Sequence, residues 1–230
     1  LSLFVGPYRP RSNRGYTHLE ELLTFGRWIL GSSILLFLIT QGDDIFVGKL
    51  LGTAALGFYQ MAYRISNLPA TEIAHVISQV TFPAYSKLQE RLDRLRTAYF
   101  QALQSISLLS FPLAVGIAAL SPEFVRLFLG EKWTPIIPAM QVLAAFGAVR
   151  SVAATSGPLF SGTGNPRYLT FSAGIKLVCL AAIIYPLTQR WGITGTAMAT
   201  TLPVVLSQSY VISKVLKILH CGVSDYVRSL

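Results

Sequence analysis

Five stretches of this chain are each long and apolar enough to cross a lipid bilayer: residues 21–41, 97–120, 133–162, 168–189 and 191–213. A bilayer's hydrocarbon core is about 30 Å thick, so a helix rising 1.5 Å per residue needs about 20 mostly apolar residues to span it. The stretch 97–120 holds no charged residue and carries Pro112, where a kink is expected. The stretch 133–162 holds one charge, Arg150, and 168–189 holds only Lys176. Inside lipid every backbone N–H and C=O must find a partner within the protein, and apolar runs of this length do so as helices. The chain is therefore read as an all-α, polytopic membrane protein.

A sixth stretch, 53–85, is more polar, with Arg64, Glu72 and His75, and it is interrupted by Pro69 and Pro83. It can be read as a polar loop, a surface helix, or a spanning helix lining a wet interior. Structureless loops beyond about 15 residues are uncommon in compact domains, and this stretch is rich in Leu, Ile, Ala and Val. The reading adopted is a spanning helix kinked at Pro69, because a helix hydrated on one side carries charges that a lipid-facing one cannot.

With six spans the connections alternate sides, and the Lys and Arg residues between them divide eleven to four. The richer side takes the N-terminal region, the 87–96 connection, Arg167 and the C-terminal tail. The poorer side takes Lys49, Arg126, Lys132 and Arg190. Basic connections face the cytoplasm. Removing the 53–85 span would put the basic 87–96 connection outside, so the charge pattern supports six spans independently of hydropathy. The expected organisation is residues 1–20 as the end of a preceding helix and a cytoplasmic linker, 21–220 as a six-helix lobe, and 221–230 as a cytoplasmic tail. The chain lacks an initiator Met and opens on the apolar run Leu1–Gly6, so further chain is expected upstream, and the tail reads as cut off. No charged start followed by a short apolar core and cleavage site marks a signal peptide.

Charged residues make up 13% of the chain and apolar residues 52%, with a mean hydropathy of +0.53. A soluble domain carries about 25% charged residues, too many for this chain to match, and disordered chains are poor in apolar ones. The net charge of +9 is read as topology determinants beside anionic headgroups. No basic face on a soluble domain is present to bind nucleic acid. Cys179 and Cys221 imply no disulfide by their spacing.

Motifs that would carry chemistry fail on inspection. In Gly42–Leu50 five residues separate the glycines, and Leu50 follows Lys49 where a phosphate-binding loop needs Ser or Thr. Gly162-Thr163-Gly164 lacks the third glycine of a dinucleotide fingerprint. Glu72 and His75 have the spacing of an iron site in helix bundles, without the second such pair that the site requires. No catalytic residue, metal or cofactor is assigned, and the short outer connections leave no room for the large loop of a sugar-joining membrane enzyme.

What remains is a set of charges within the spans: Arg64, Glu72, Arg150 and Lys176. Each costs about 2.5–3.5 kcal/mol at mid-membrane, so they should face the bundle interior. Counting from the span ends puts Arg64 and Lys176 near mid-membrane and Arg150 nearer the cytoplasm. Arg64 can pair structurally with Glu72, or with Asp43 or Asp44 at the outer end of the first span. Arg150 can snorkel to the headgroups, and Lys176 has no carboxylate on its own span. Three cations against one Glu suit an anionic passenger such as a phosphate or pyrophosphate.

Short motifs in a fixed order bear a resemblance. Phe25-Gly26-Arg27-Trp28 leads to Asp44-Ile45-Phe46-Val47-Gly48-Lys49, then Leu56-Gly57-Phe58-Tyr59-Gln60-Met61-Ala62-Tyr63-Arg64 and Thr81-Phe82-Pro83-Ala84. Phe128-Leu129-Gly130-Glu131-Lys132-Trp133 and Gly192-Ile193-Thr194-Gly195-Thr196-Ala197 complete the set. Over nearly its whole length the chain resembles bacterial polysaccharide-biosynthesis flippases of the Wzx type, used for exopolysaccharides such as colanic or teichuronic acid. These share a superfamily with multidrug extruders and the peptidoglycan-precursor flippase.

The resemblance implies two six-helix lobes around a central cavity, this chain being the second and the first lobe a missing partner. It implies a lipid-linked oligosaccharide, carried on undecaprenyl pyrophosphate, crossing the bacterial inner membrane as the lobes rock. Arg64, Lys176 and Arg150 are then the candidate cavity cations, and Asp44, Asp43 and Glu72 the candidates for ion pairing or coupling. The family pattern favours Asp44 over Asp43. Rival readings are a drug-extruding cation antiporter on the same fold, which would want acidic cavity residues, a membrane-embedded glycosyl-transferring enzyme, and a non-transporting scaffold.

Overall fold

The computed structural model describes residues 37–38, 40–68, 72–165 and 167–228. The chain forms two compact units, residues 1–40 and 41–230, and within the first only residues 37, 38 and 40 are described, all helical. The expected linker in 1–20, most of the first expected span and Pro69 lie outside the described residues.

Every regular element among the described residues is helical. The first, α1, covers residues 41–50, so most of the segment expected as an outer connection is helical and carries Asp43 and Asp44. Gly52 then turns the chain at φ 87° into α2 (Thr53–Leu68). Next come α3 (Ala74–Leu88) and α4 (Leu92–Phe124), which holds Pro112 and Pro122 without ending. A wide turn over Val125–Leu129 and a tight one over Glu131–Ile136 lead into α5 (Ile137–Ala154). The fourth expected span is broken once, at Thr155, before α6 (Ser156–Gly162). Pro158 has no N–H to donate to the carbonyl of Ala154, and the Thr155 N–H and hydroxyl both turn back to the Val152 carbonyl instead, at 3.2 and 2.7 Å.

The last long helix, α7 (Arg167–Leu219), is two limbs joined at Gly192, whose φ of 56° and ψ of −135° suit a residue without a side chain. In a straight helix Leu187 and Gly195 would stand about 12 Å apart. Here the Leu187 backbone lies against Gly195, and the hydroxyls of Thr188 and Thr196 meet at 2.9 Å. The limbs therefore fold back on each other, matching the expected fifth and sixth spans. A short helix, α8 (Val223–Arg228), closes the described chain, held to α4 by an Arg96–Asp225 ion pair of 2.5 Å.

Two separate apolar clusters fix which ends lie together. One gathers Tyr85 of α3, Leu95 and Tyr99 of α4, Phe160 of α6, Leu219 of α7 and Tyr226 of α8. The other gathers Val47 of α1, Tyr59 of α2, Val125 after α4, Ala139 of α5 and Ala197 of α7. The 53–85 stretch starts in the second cluster and finishes in the first. It thus runs from one end of the lobe to the other, as a span must, although only residues 92–129, 131–162 and 167–219 are long and apolar enough by themselves to cross a membrane among the described residues. Outside these clusters the lobe exposes large apolar side chains, as at Leu108, Val115, Leu127 and Val178, as expected of a polytopic protein that meets lipid along its spans.

Close helix approach rests on small residues. A Cβ on Gly147 of α5 would stand 2.8 Å from the Ser66 carbonyl oxygen of α2, while the Ser66 hydroxyl donates to the Met140 carbonyl at 2.9 Å. Small side chains with a hydroxyl between backbones are how helices associate where lipid offers no hydrophobic drive. Orientation is open to test. Cysteines introduced as Arg94→Cys and Glu123→Cys, both exposed positions, in a background lacking Cys179 and Cys221, are expected to label from opposite faces, with Arg94→Cys on the cytoplasmic one. Labelling of both from outside would overturn the alternation.

Candidate functional site

The site is built on α2, α5 and the first limb of α7. From α5, Arg150 donates a short hydrogen bond to the Tyr63 hydroxyl of α2 and lies 5.8 Å from the centre of the Phe146 ring. From α7, half-buried Lys176 lies close enough to Arg150 for their charges to repel. Packing of α5 against both α2 and α7 brings these groups together. Arg64, next to Tyr63 on α2, is exposed on the lobe's own surface. Among the described residues none of the three cations makes an ion pair. The result is an uncompensated positive patch within the spans, held in place by an aromatic ring and a phenol, and able to attract an anion.

The acidic candidates lie elsewhere and take neutral partners. Asp43, buried, accepts from the Tyr59 hydroxyl at 2.7 Å. Asp44, more open, accepts from the Gln60 amide at 2.8 Å. Adjacent carboxylates on α1 thus meet adjacent residues on α2, and neither pairs with Arg64. Glu72 is exposed just before α3, and His75 contacts Gln79 at 2.7 Å. Sequence reasoning placed the charges but missed Tyr63 and Tyr59, the partners that orient Arg150 and Asp43. Their four-residue spacing on one face of α2, with rings 6.1 Å apart, was the available signal. It also missed Gln208, buried in α7, whose amide atoms have no hydrogen-bond partner among the described residues.

The family model described as polysaccharide biosynthesis protein matches residues 1–138. The chain belongs to that family. Within it the chain is 33% identical over 152 residues to the lipopolysaccharide biosynthesis protein WzxC of Escherichia coli (strain K12), covering 66% of this chain and 31% of that one. An uncharacterized membrane protein in the cps region of Klebsiella pneumoniae is 30% identical over 98% of this chain and 47% of its own length. Among solved structures, the lipid II flippase MurJ in an inward closed conformation superposes with a TM-score of 0.75 at 17% identity, over 95% of this chain and 49% of that one. The chain therefore spans about a third to a half of the lengths of these proteins, and it has the fold of half of the MurJ molecule.

Proposed function

We propose that this chain is one lobe of a flippase that carries an undecaprenyl-pyrophosphate-linked oligosaccharide across the bacterial inner membrane, for exopolysaccharide or lipopolysaccharide synthesis, by alternating access between two lobes. The observation that carries the reading is that Arg150 of α5 and Lys176 of α7, both within apolar spans, lie in each other's electrostatic reach with no carboxylate paired to either among the described residues, in a chain of the polysaccharide biosynthesis family. A diphosphate needs a positive field along its path, and the low dielectric around the spans strengthens that field. The names of the similar proteins, a lipopolysaccharide biosynthesis protein and a lipid II flippase, agree with such a passenger. The other lobe would supply the facing wall. A cation-extruding antiporter would need carboxylates where this lobe presents Arg150 and Lys176.

In this scheme Asp44, the more open carboxylate, is the coupling residue, and Asp43 holds α1 to α2 through Tyr59. The test uses the full-length protein in liposomes loaded with a lipid-linked oligosaccharide, its headgroup read by an added glycosidase that does not cross the membrane. The wild type is expected to expose the inner pool to the enzyme, Asp44→Asn to slow that step more than Asp43→Asn. An inner pool that stays protected in wild-type vesicles would overturn the flippase reading, and the reverse ranking would overturn the assignment of Asp44.

A further inference from the structure

The first limb of α7 carries an apolar groove of about 570 Å³, lined by Thr170, Phe171, Gly174, Ile175, Val178 and Cys179. These residues recur three and four apart, so the groove follows the helix for about 14 Å, roughly one leaflet of a bilayer whose core is about 30 Å thick. At one end it meets two cations mounted on aromatic rings. Arg167 lies 5.3 Å from the Tyr168 ring centre, and Lys214 of the second limb lies 5.5 Å from that ring and 5.2 Å from the ring of Tyr210. Phe171, in the groove wall, touches Tyr210 at 6.4 Å between ring centres, which joins groove and cations into one surface. Neither cation has a carboxylate partner among the described residues.

The geometry points to a binding site for one anionic glycerophospholipid of the cytoplasmic leaflet, its phosphate between Arg167 and Lys214 and one acyl chain along the groove. Charge complementarity selects the occupant. Two like charges held on a shared ring repel each other until an anion sits with them, and each basic residue near a membrane surface favours an anionic lipid. The length of the groove fits an acyl chain lying parallel to a spanning helix. The site is distinct from the Arg150–Lys176 patch, and it does not depend on what the protein transports.

The test is native mass spectrometry of the full-length protein in detergent, titrated with phosphatidylglycerol or with phosphatidylcholine of the same acyl chains. Wild type is expected to retain phosphatidylglycerol about thirtyfold better, from about fivefold per cation. Arg167→Gln with Lys214→Gln should erase that preference. Gly174→Leu, at a position where an added Cβ meets nothing within 4 Å, should fill the groove and lower retention with both cations in place. Thermal unfolding of each variant should match wild type, because Arg167 is exposed and Gly174 faces open space. Absence of a preference in wild type, its survival in the double glutamine variant, or unchanged retention in Gly174→Leu would each overturn the proposal. Displacement of phosphatidylglycerol by an equimolar polyprenyl pyrophosphate would overturn the choice of a phospholipid as occupant.

Discussion

Gly195→Ala is expected to lower the thermal unfolding midpoint of the protein by roughly 10 °C, since an added Cβ there meets its neighbours more tightly than at any other described glycine. A Cβ at this position would overlap the Leu187 carbonyl oxygen and stand 2.5 Å from its carbon. The obstacle is backbone in a packed hairpin, not the end of a flexible side chain, so the limbs of α7 must move apart. Overpacking of this kind costs about 1–3 kcal/mol. Separation also breaks the 2.9 Å hydrogen bond between Thr188 and Thr196, both fully buried; Thr196 keeps the Gly192 carbonyl at 3.3 Å, and the stranded Thr188 hydroxyl adds about 1–3 kcal/mol. The control is Gly116→Ala in α4, where an added Cβ meets nothing within 4 Å and the stability should not fall. Equal stability of Gly195→Ala and Gly116→Ala would mean that the limbs of α7 are not packed as described.

Lys176→Ala and Arg64→Ala are each expected to reduce polymer export by more than about tenfold, while Lys176→Arg and Arg64→Lys keep most of it. The motivation is the cost of a charge within the spans, about 2.5–3.5 kcal/mol each, which no ion pair among the described residues offsets. A diphosphate in motion needs positive charge more than one fixed bidentate geometry, so conservative exchanges should serve. Arg150 differs, because its guanidinium is fixed by Tyr63 and packs on Phe146. Arg150→Lys forfeits that arrangement and should retain less activity than Lys176→Arg. Export is measured in cells lacking the native protein, with membrane insertion quantified alongside. Normal insertion together with wild-type export in both alanine variants would make these residues structural and remove the basis of the cationic cavity.

Much of the architecture is legible from local sequence. Apolar runs and the basic residues between them identify spans and alternation because each helix meets lipid along its own length, so its fitness for the membrane is a property of its own residues. The polar 53–85 stretch is less plain by hydropathy, and its two described helices join different apolar clusters, α2 the one with Val47 and α3 the one with Tyr226. The limits of local reading appear at the ends of spans. Asp43 and Asp44 lower the hydropathy of residues 41–50 enough to suggest a connection, yet these residues are helical, with Tyr59 and Gln60 of α2 as hydrogen-bond partners for the two carboxylates.

Sequence alone thus determined that this chain is an all-helical membrane lobe of a recognisable family, with a surplus of positive charge inside its spans. Only the tertiary structure decided which of those charges meet. Arg150 and Lys176 come within electrostatic reach of each other because α5 packs against α7, while Gly147 and Ser66 let α5 approach α2 closely enough for Arg150 to reach the Tyr63 hydroxyl. Arg64, by contrast, stays apart from every carboxylate among the described residues, because Asp43 and Asp44 are already taken by Tyr59 and Gln60 of α2, the helix that carries Arg64. Hydropathy is blind to rotation about a helix axis, and a turn of about 100° per residue separates a side chain facing a cavity from one facing lipid.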